Sequence, residues 1–229
     1  MTRIIIREAL STDHDDIIGF YDEFHDDHVM LRSETVVKNA IRNGTFFLAI
    51  DINATNGGRI CAASAVYDVN VELPGGGTIP LKEAGGSNVK PERRGLGIHK
   101  IMHAARAMHE FILDRGGFQE YFGAIIVPNE NSVKNILRMG FEKWENVPES
   151  LRNERAPYAE NGNEIAYYHL LENALPIHAK ILIDAAEHGI LEHRSSTLEQ
   201  AELVMDVETI RRYSPILRRV ANGDFSDLK

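Results

Sequence analysis

Short apolar runs separated by turn residues characterise the chain as far as residue 171. Residues 3–9 hold three consecutive isoleucines between polar neighbours, a pattern typical of a strand. Later runs are rich in β-branched and aromatic residues, and clusters of glycine, proline and asparagine separate them. The same reasoning predicts further strands at 45–52, 59–71, 78–89, 121–127, 141–144 and 164–171.

Between these runs, apolar residues recur at the spacing of a helix. The strongest helix is predicted at Ile98–Leu113, because its apolar residues follow the 3.6-residue period over its whole length. From Ala174 onward the period is again helical, which predicts an all-helical C-terminal part. Shorter helices are predicted after Ser11 or Thr12, at 33–42, and between Pro128 and Gly140.

The order of these elements limits the fold class. Strands joined as hairpins alternate with strand–helix–strand units, which predicts an α/β (mixed α+β) protein with a mixed sheet. A chain of 229 residues fits one large domain, or one domain with an appendage. The predicted sheet is interrupted near Gly85-Gly86, where glycine inside a strand often marks a bulge or a close approach of the backbone to a ligand.

Composition and charge exclude several classes of protein. The formal net charge of −9 argues against general nucleic-acid binding and mildly favours a cationic small substrate. Cys61 is the one cysteine, so an intrachain disulfide is impossible and a cysteine-based zinc site is not expected. We also expect no signal peptide, no membrane span and a cytoplasmic location, because no apolar run is long enough.

The segment from Lys90 to Lys100 carries the clearest chemistry. A strand ends, a loop with Gly95 and Gly97 follows, and a helix begins, so unpaired N–H groups and the positive helix end lie together. Arg93 and Arg94 add positive charge, and the combination suits a diphosphate. A plain surface turn is the alternative, because a glycine pair alone is a weak signal.

This segment resembles the acyl-CoA loop of the GNAT N-acetyltransferase superfamily, whose pattern is Arg/Gln-x-x-Gly-x-Gly/Ala. Arg94 and Gly97 match the first two fixed positions, whereas His99 stands where glycine or alanine is usual. A second stretch, Asn129-x-x-Ser132 followed by Met-Gly-Phe at 139–141, resembles the second motif of the family. The resemblance covers residues 1–171 as one GNAT-like domain and leaves 172–229 as a helical extension.

The resemblance implies both a fold and a co-substrate. The sheet would splay between its fourth and fifth strands, and the pantetheine arm of acetyl-CoA would lie in the gap. Main-chain groups of Ser87–Val89 would face that arm, and an N–H near Val89 would stabilise the oxyanion. The implied coenzyme-binding residues are Ser87, Asn88, Val89, Arg93, Arg94, Gly95, Leu96, Gly97, Ile98, His99, Lys100, Asn129 and Ser132.

The catalytic residues are less clearly indicated. Many members use an acidic residue on the fourth strand as a general base, and Glu83 occupies that place; the alternative is an exposed or salt-bridged strand glutamate. The tyrosine that protonates the leaving thiolate in many members is replaced here by Ile136. Water or Tyr168 on the last predicted strand could substitute for it.

His25 and His28, with aspartates nearby, raise the question of a metal site. Histidines three residues apart on a helix can share an ion, but a polar helix end is more often a solvated face, so no metal site is expected. The same acidic cluster could instead attract a cationic amine.

Taken together, the resemblance implies an acetyl-CoA-dependent N-acetyltransferase acting on a primary amine of a small molecule. The alternatives are acetylation of a protein N-terminus or lysine, and a catalytically weak CoA-binding sensory module. No nucleic-acid or membrane partner is expected. The C-terminal helices could cover the domain, close the substrate cleft or form a homodimer contact, because their apolar stripe must be buried.

Overall fold

The computed structural model describes residues 2–24, 29–30, 32–54, 59–113, 121–127, 129–162, 164–193 and 196–225. Its strands and helices lie close to the predicted ones up to residue 171. The strands are β1 (Thr2–Glu8), β2 (Phe46–Asp51), β3 (Ile60–Glu72), β4 (Thr78–Val89), β5 (Tyr121–Val127), β6 (Phe141–Lys143), β7 (Glu164–Leu170), β8 (Ile190–His193) and β9 (Ser196–Met205). The helices are α1 (His14–Phe24), α2 (Glu34–Arg42), α3 (Ile98–Leu113), α4 (Glu130–Arg138), α5 (Glu149–Arg155), α6 (Leu175–His188), α7 (Glu208–Arg212) and α8 (Ser214–Ala221).

The described strands form one sheet in the order β6-β7-β5-β4-β3-β2-β1-β9-β8. Two strand pairs, β4 with β5 and β1 with β9, are parallel, and the other pairs are antiparallel. The prediction of a mixed, mostly antiparallel sheet flanked by helices is therefore confirmed. Strand β2 is buried along its whole length, as expected for a strand covered on both faces.

The sheet opens between β4 and β5. These strands pair only at Lys82 with Tyr121 and at Glu83 with Phe122, although β4 continues to Val89. Strand β5 then follows β7, to which it is paired along its whole length up to Val127. The divergence leaves main-chain groups of the last part of β4 without a strand partner on that side, which creates the splay expected from the resemblance.

Helices cover the two faces of the sheet unequally. The face of α3, α4 and α6 holds the largest apolar cluster, built around Met102, Met108, Phe111 and Leu182. On the opposite face, one cluster lies under α1 and α2, and another joins α5 to β3, β4 and β5. Both sides of the opening between β4 and β5 are thus walled by helices.

The C-terminal part differs from the all-helical prediction. Residues 190–193 and 196–205 form a hairpin of two strands, and β9 pairs in parallel with β1, for example Ile4 with Leu203. Short apolar runs do not decide between the two periods, and here the unpaired edge of β1 supplies hydrogen-bond partners for a strand. Ala201 and Leu203, two residues apart, are buried on one face as a strand requires.

The polar segment between β6 and β7 also holds regular structure. It contains α5 and a 3-10 helix at 156–162, and Leu151 of α5 packs in one apolar cluster with residues of β3. None of the helices in the described ranges has both the length and the apolar character that crossing a membrane would need.

Candidate functional site

A cavity of about 1210 Å³ opens where α3 begins. Its walls come from the end of β4, the loop at 93–97, the first turn of α3, and one side each of α4 and α6. The residues predicted to bind the coenzyme line this cavity, except Leu96, whose side chain is buried in the main apolar cluster. Their predicted role itself stays a prediction.

The loop before α3 owes its shape to two glycines. Gly95 and Gly97 have φ angles of 90° and 79°, in the left-handed region that other residues rarely adopt. A side chain on Gly97 would meet no atom within 4 Å, so the conformation and not a lack of space requires glycine. Arg94 Nε donates to the Val89 carbonyl (3.1 Å), which ties the loop to the end of β4. The first N–H groups of α3 therefore face the cavity without helical partners.

The second motif forms the opposite wall of the cavity. Asn129 Oδ1 accepts a hydrogen bond from the Ser132 main-chain nitrogen (3.1 Å), so Asn129 caps α4 as its sequence position suggests. The helix dipoles of α3 and α4 both begin at this cavity. Two positive helix ends in one cleft favour a negatively charged ligand.

The cavity is basic although the chain as a whole is acidic. Arg93 forms an ion pair with Asp51 (2.8 Å). The lining contains two acidic residues, and one of them, Glu130, forms an ion pair with Lys134 (2.8 Å). The remaining acid in the lining is Asp184. Against it stand four cations that form no ion pair with any described residue: Arg94, Lys100, Arg138 and Lys180.

A smaller pocket of about 80 Å³ continues from the cavity into the opening of the sheet. The two share Val29, Ser87, His99, Asn129 and Ser132, so they lie side by side. The smaller pocket is bordered on one side by β4 and on the other by β5 and α4. Its further lining residues include Met30, Arg32, Glu83, Ala84, Gly85, Gly86, His103, Gly123, Ala124, Ile125 and Ile136.

Glu83 lies at this pocket but is fully engaged by two arginines. Its side chain is 1 % exposed; Oε1 accepts from Arg32 Nη2 (2.5 Å) and Oε2 from Arg155 Nη2 (2.6 Å). The Arg32 guanidinium in turn lies 5.3 Å from the ring centres of Tyr67 and Tyr158. Of the two alternatives left by the sequence, this geometry is that of the salt-bridged glutamate.

Tyr168 lines neither of the two pockets. Its side chain is buried in the main apolar cluster, to which Ile136 also belongs. The structure therefore does not bring Tyr168 to the smaller pocket, and this geometry does not support the suggestion that Tyr168 replaces the missing tyrosine. The alternation of side chains along β7 is the reason, because Tyr167, its neighbour, points to the other face.

Ile136 fills the space between α4 and β5. Its Cδ1 atom lies 2.8 Å from the position that a Cβ on Gly123 would take, so a side chain at that point of β5 would displace the end of Ile136. An apolar group thus occupies the place where the family pattern has a tyrosine. Among the described lining residues of the smaller pocket, hydroxyl groups come from Ser87 and Ser132, and none comes from a tyrosine.

A buried arginine shapes β4 at the pocket. The pairing of β3 with β4 shifts register between Ala63 and Ala65, which forms the bulge suggested by Gly85-Gly86. Arg106 of α3, fully buried, donates through Nη1 to the carbonyls of Ala65 (2.9 Å) and Gly85 (3.0 Å). Carbonyl groups that the bulge removes from the ladder therefore find a charged donor.

Gly86 is the tightest point of the bulge. Its φ is +59°, its carbonyl accepts a hydrogen bond from the Tyr21 hydroxyl, and a Cβ there would lie 2.6 Å from the Tyr67 hydroxyl. The bulge is thus fixed by α1 on one face and by α3 on the other. A fixed backbone beside the small pocket is what an oriented main-chain donor needs.

Two histidines of α3 stand at the junction of the two cavities. The His99 and His103 rings pack edge to face with centroids 4.5 Å apart, and His103 Nδ1 lies 2.8 Å from Arg106 Nη2. Burial, and then the nearby Arg106 charge, lower the pKa of both imidazoles. Both are neutral at pH 7, so they add no cation to the cleft.

Several residues of the site carry no clear signal in the sequence. Arg32 and Arg155 come from a loop and from the end of a short helix, and only the folded chain brings them to Glu83. Arg106 could have been noticed as a charged residue within the apolar stripe of α3. The side of α6 that lines the cavity was missed because the resemblance ends before it.

The described part of the chain contains no group of three or more His, Cys, Asp or Glu side chains placed to hold a metal ion. His25 and His28 lie outside the described residues, so the structure says nothing about that cluster.

The order and pairing of the strands, and the opening between β4 and β5, identify the fold. The chain has the fold of the GNAT N-acetyltransferases. No protein-family model matches the sequence, and no curated protein does either. Three similar solved structures have less than 15 % sequence identity with this chain, so the likeness concerns the fold.

The first is the NatC complex bound to Gag peptide and CoA, with a TM-score of 0.54 and 14 % identity, over 73 % of this chain and 98 % of that one. The second is Naa50 of Arabidopsis thaliana with the bisubstrate analogue CoA-Ac-MVNAL, with a TM-score of 0.53, 12 % identity, and coverage of 73 % and 98 %. The third is Arabidopsis thaliana NAA60 with acetyl-CoA, with a TM-score of 0.51, 13 % identity, and coverage of 73 % and 99 %.

Proposed function

We propose that this chain is an acetyl-CoA-dependent N-acetyltransferase. The observation that carries the proposal is the basic cavity at the start of α3, continuous with a small pocket at the opening between β4 and β5. The diphosphate binds at the N–H groups of 95–98 beside Arg94 and Lys100. The pantetheine arm follows Ser87–Val89 into the opening, and Asn129 and Ser132 border it from α4.

In this proposal the acceptor amine attacks the thioester carbon at the smaller pocket. A C–N bond forms, the C–S bond breaks, and coenzyme A leaves as a thiolate that takes a proton from water. A thiol pKa near 8.5 makes it a fair leaving group without a tyrosine acid. Because both Glu83 oxygens are occupied, the amine loses its proton to water, and Glu83 positions Arg32 and Arg155.

The acceptor is, in the first place, a small primary amine. The smaller pocket holds only about 80 Å³, and α5 with Arg155 covers its floor at Glu83. A peptide N-terminus is the second candidate, because two of the similar structures contain a peptide or a peptide joined to CoA.

Thermal unfolding tests the coenzyme site. Acetyl-CoA should raise the melting temperature with concentration, since it binds the folded chain. The variant Arg94→Glu with Gly97→Glu should abolish the shift, because it places two negative charges at the diphosphate position. The control, Lys38→Glu with Gly44→Glu, makes the same change of net charge on and after α2, where Gly44 also has a positive φ and free space. If the first variant keeps the normal shift, the site is wrong.

Thiol release tests the reaction. Acetyl-CoA with a panel of small amines, and separately with short peptides, should release free CoA in one of the two sets. Release with small amines supports the first acceptor class, and release with peptides alone supports the second. Binding of acetyl-CoA with no release in either set would instead indicate the CoA-binding sensory module.

A further inference from the structure

The C-terminal helix α6 forms one wall of the cavity, outside the part of the chain that resembles known acetyltransferases. Its cavity-lining residues recur at positions 177, 180, 181 and 184, the spacing of a single helix face. The opposite face of the helix is buried in the main core through Leu175, Ala179 and Leu182. The helix is therefore fixed with one side toward the cleft.

Two contacts set the position of α6 against α4. His178 Nε2 donates to the Met139 carbonyl (2.7 Å), at the turn that ends α4. At Gly140, next in the chain, a Cβ would lie 2.5 Å from the Ala174 side chain, so the two elements touch closely. This contact brings Lys180 of α6 and Arg138 of α4 into the lining of one cavity.

The lining of the cavity extends past the places proposed for the diphosphate and the pantetheine arm. The arm takes the β4 side, because that side continues into the smaller pocket, and the diphosphate takes the start of α3. What remains is the α4–α6 end, lined by Arg138, Ile177, Lys180 and Ile181. Ile177 is 44 % exposed, so it offers a large apolar surface at this end of the cavity.

We propose that this end binds the nucleoside part of coenzyme A, with Lys180 and Arg138 at the 3′-phosphate and Ile177 and Ile181 against the adenine. The inference rests on the proposed function and extends it to a coenzyme subsite built by the C-terminal part of the chain. A phosphate monoester carries nearly two charges at pH 7, and neither cation forms an ion pair within the described residues. Asp184, one turn beyond Lys180, opposes the phosphate and weakens its binding.

The test compares two coenzymes that differ in this phosphate alone. We would measure the dissociation constants of CoA and of 3′-dephospho-CoA for the full chain by calorimetry at low ionic strength. The wild type should bind CoA more tightly, by roughly tenfold for two partly exposed charge contacts. Lys180→Gln with Arg138→Gln should remove that preference and leave the affinity for 3′-dephospho-CoA unchanged, which also shows that the variant is folded.

Two further variants sharpen the result. Lys38→Gln removes one positive charge from α2, on the other face of the sheet, and should leave the preference intact. Asp184→Asn should increase the preference, because it removes the acid next to the phosphate.

The outcomes separate the inference from the proposed function. Equal affinity of the wild type for the two coenzymes, or an equal loss of both in the double variant, would overturn the subsite and leave the acetyltransferase proposal standing. Failure of the wild type to bind either coenzyme would overturn the proposed function, and the subsite with it.

Discussion

Glu83 is the residue whose geometry differs most clearly from the role of general base considered from the sequence. Its two oxygens lie 2.5 Å and 2.6 Å from the guanidinium groups of Arg32 and Arg155, and all three side chains are less than 10 % exposed. Removal of one partner from a buried ion pair leaves an uncompensated charge, which is strongly destabilising. This geometry favours a structural role, in which Glu83 holds two cations in place beside the pocket.

We expect Glu83→Gln to lower the free energy of unfolding by about 3 kcal/mol, because two buried guanidiniums lose their counter-charge. Urea denaturation followed by circular dichroism measures the change. Asp68→Asn is the matched control: it breaks an exposed pair with Lys82 and should cost less than about 1 kcal/mol.

The same variant separates positioning from base catalysis. A positioning role predicts a pH profile of turnover with unchanged shape, whereas loss of a base would remove its acidic limb. Unaltered stability, together with a lost acidic limb, would contradict the positioning role and restore the general base.

At the scale of elements, the contact of α6 with the turn after α4 leaves little space for a larger side chain. Gly140 and Gly189 both follow helices and have φ angles of 81° and 61°. A Cβ on Gly140 would lie 2.5 Å from Ala174, whereas one on Gly189 would be 3.7 Å from the Leu203 carbonyl, an ordinary contact. The two positions share the backbone strain and differ in the space available.

Gly189→Ala should therefore cost about 1 kcal/mol, the strain of a left-handed conformation alone. Gly140→Ala should cost roughly 1–3 kcal/mol more, because the start of α6 must move. Thermal unfolding of both variants gives the difference. Equal destabilisation would mean that α6 is not held tightly against this turn.

Elements with long or repeated patterns could be predicted from the sequence, and others could not. Helix α3 and strands β3 to β5 follow from sustained periods bounded by glycine and proline. Strand β9 was missed, because whether residues 196–205 extend depends on the free edge of β1, almost two hundred residues away. The loop of the predicted coenzyme site could be recognised from the sequence because its residues are consecutive.

Residues that meet only through the fold left no signal in the sequence. Arg32 and Arg155 reach Glu83 from segments 51 and 72 residues away. Tyr168 was assigned without knowledge of its face, which the alternation along β7 determines once one residue of the strand is placed. Contacts of this kind depend on packing, not on local pattern.

At the scale of the whole molecule, one core joins the C-terminal part to the rest. Leu175, Leu182, Leu203 and Leu217 belong to the same apolar cluster as Met108 of α3. The boundary predicted at residue 171 therefore runs through a shared core.

That core also contains imidazoles that burial keeps neutral. Burial lowers the pKa of His109 and of His178 to about 4, and the pKa of His103 also falls well below its ordinary value. The unfolded chain binds protons at these sites near pH 6.5, and the folded chain does not. Stability is therefore full above about pH 6.5 and falls as the pH drops toward 4.

The slope should reach at most about 1.4 kcal/mol per pH unit for each of these histidines. Urea midpoints measured from pH 7.5 to pH 4.5 at constant ionic strength give it. His178→Gln keeps a donor for the Met139 carbonyl and cannot titrate, so it should flatten the profile, whereas the exposed His188→Gln should not. Stability independent of pH in this window would contradict the neutral, buried state. Burial alone would raise the pKa of Asp13, but its hydrogen bonds to Arg7 and to the Leu10 main chain lower the pKa below 3.8, so Asp13 stabilises the fold above pH 3.8 and loses this contribution only at lower pH.

The contact between Arg106 and His103 has a consequence for where one hydrogen atom resides. A guanidinium has only hydrogens to give and no lone pair to offer, so the ring nitrogen facing it must supply the electrons. Nδ1 of His103 therefore carries no hydrogen, and the neutral imidazole carries its hydrogen on Nε2. The arginine that fixes the bulge of β4 thereby also selects a single tautomer at the wall of the smaller pocket.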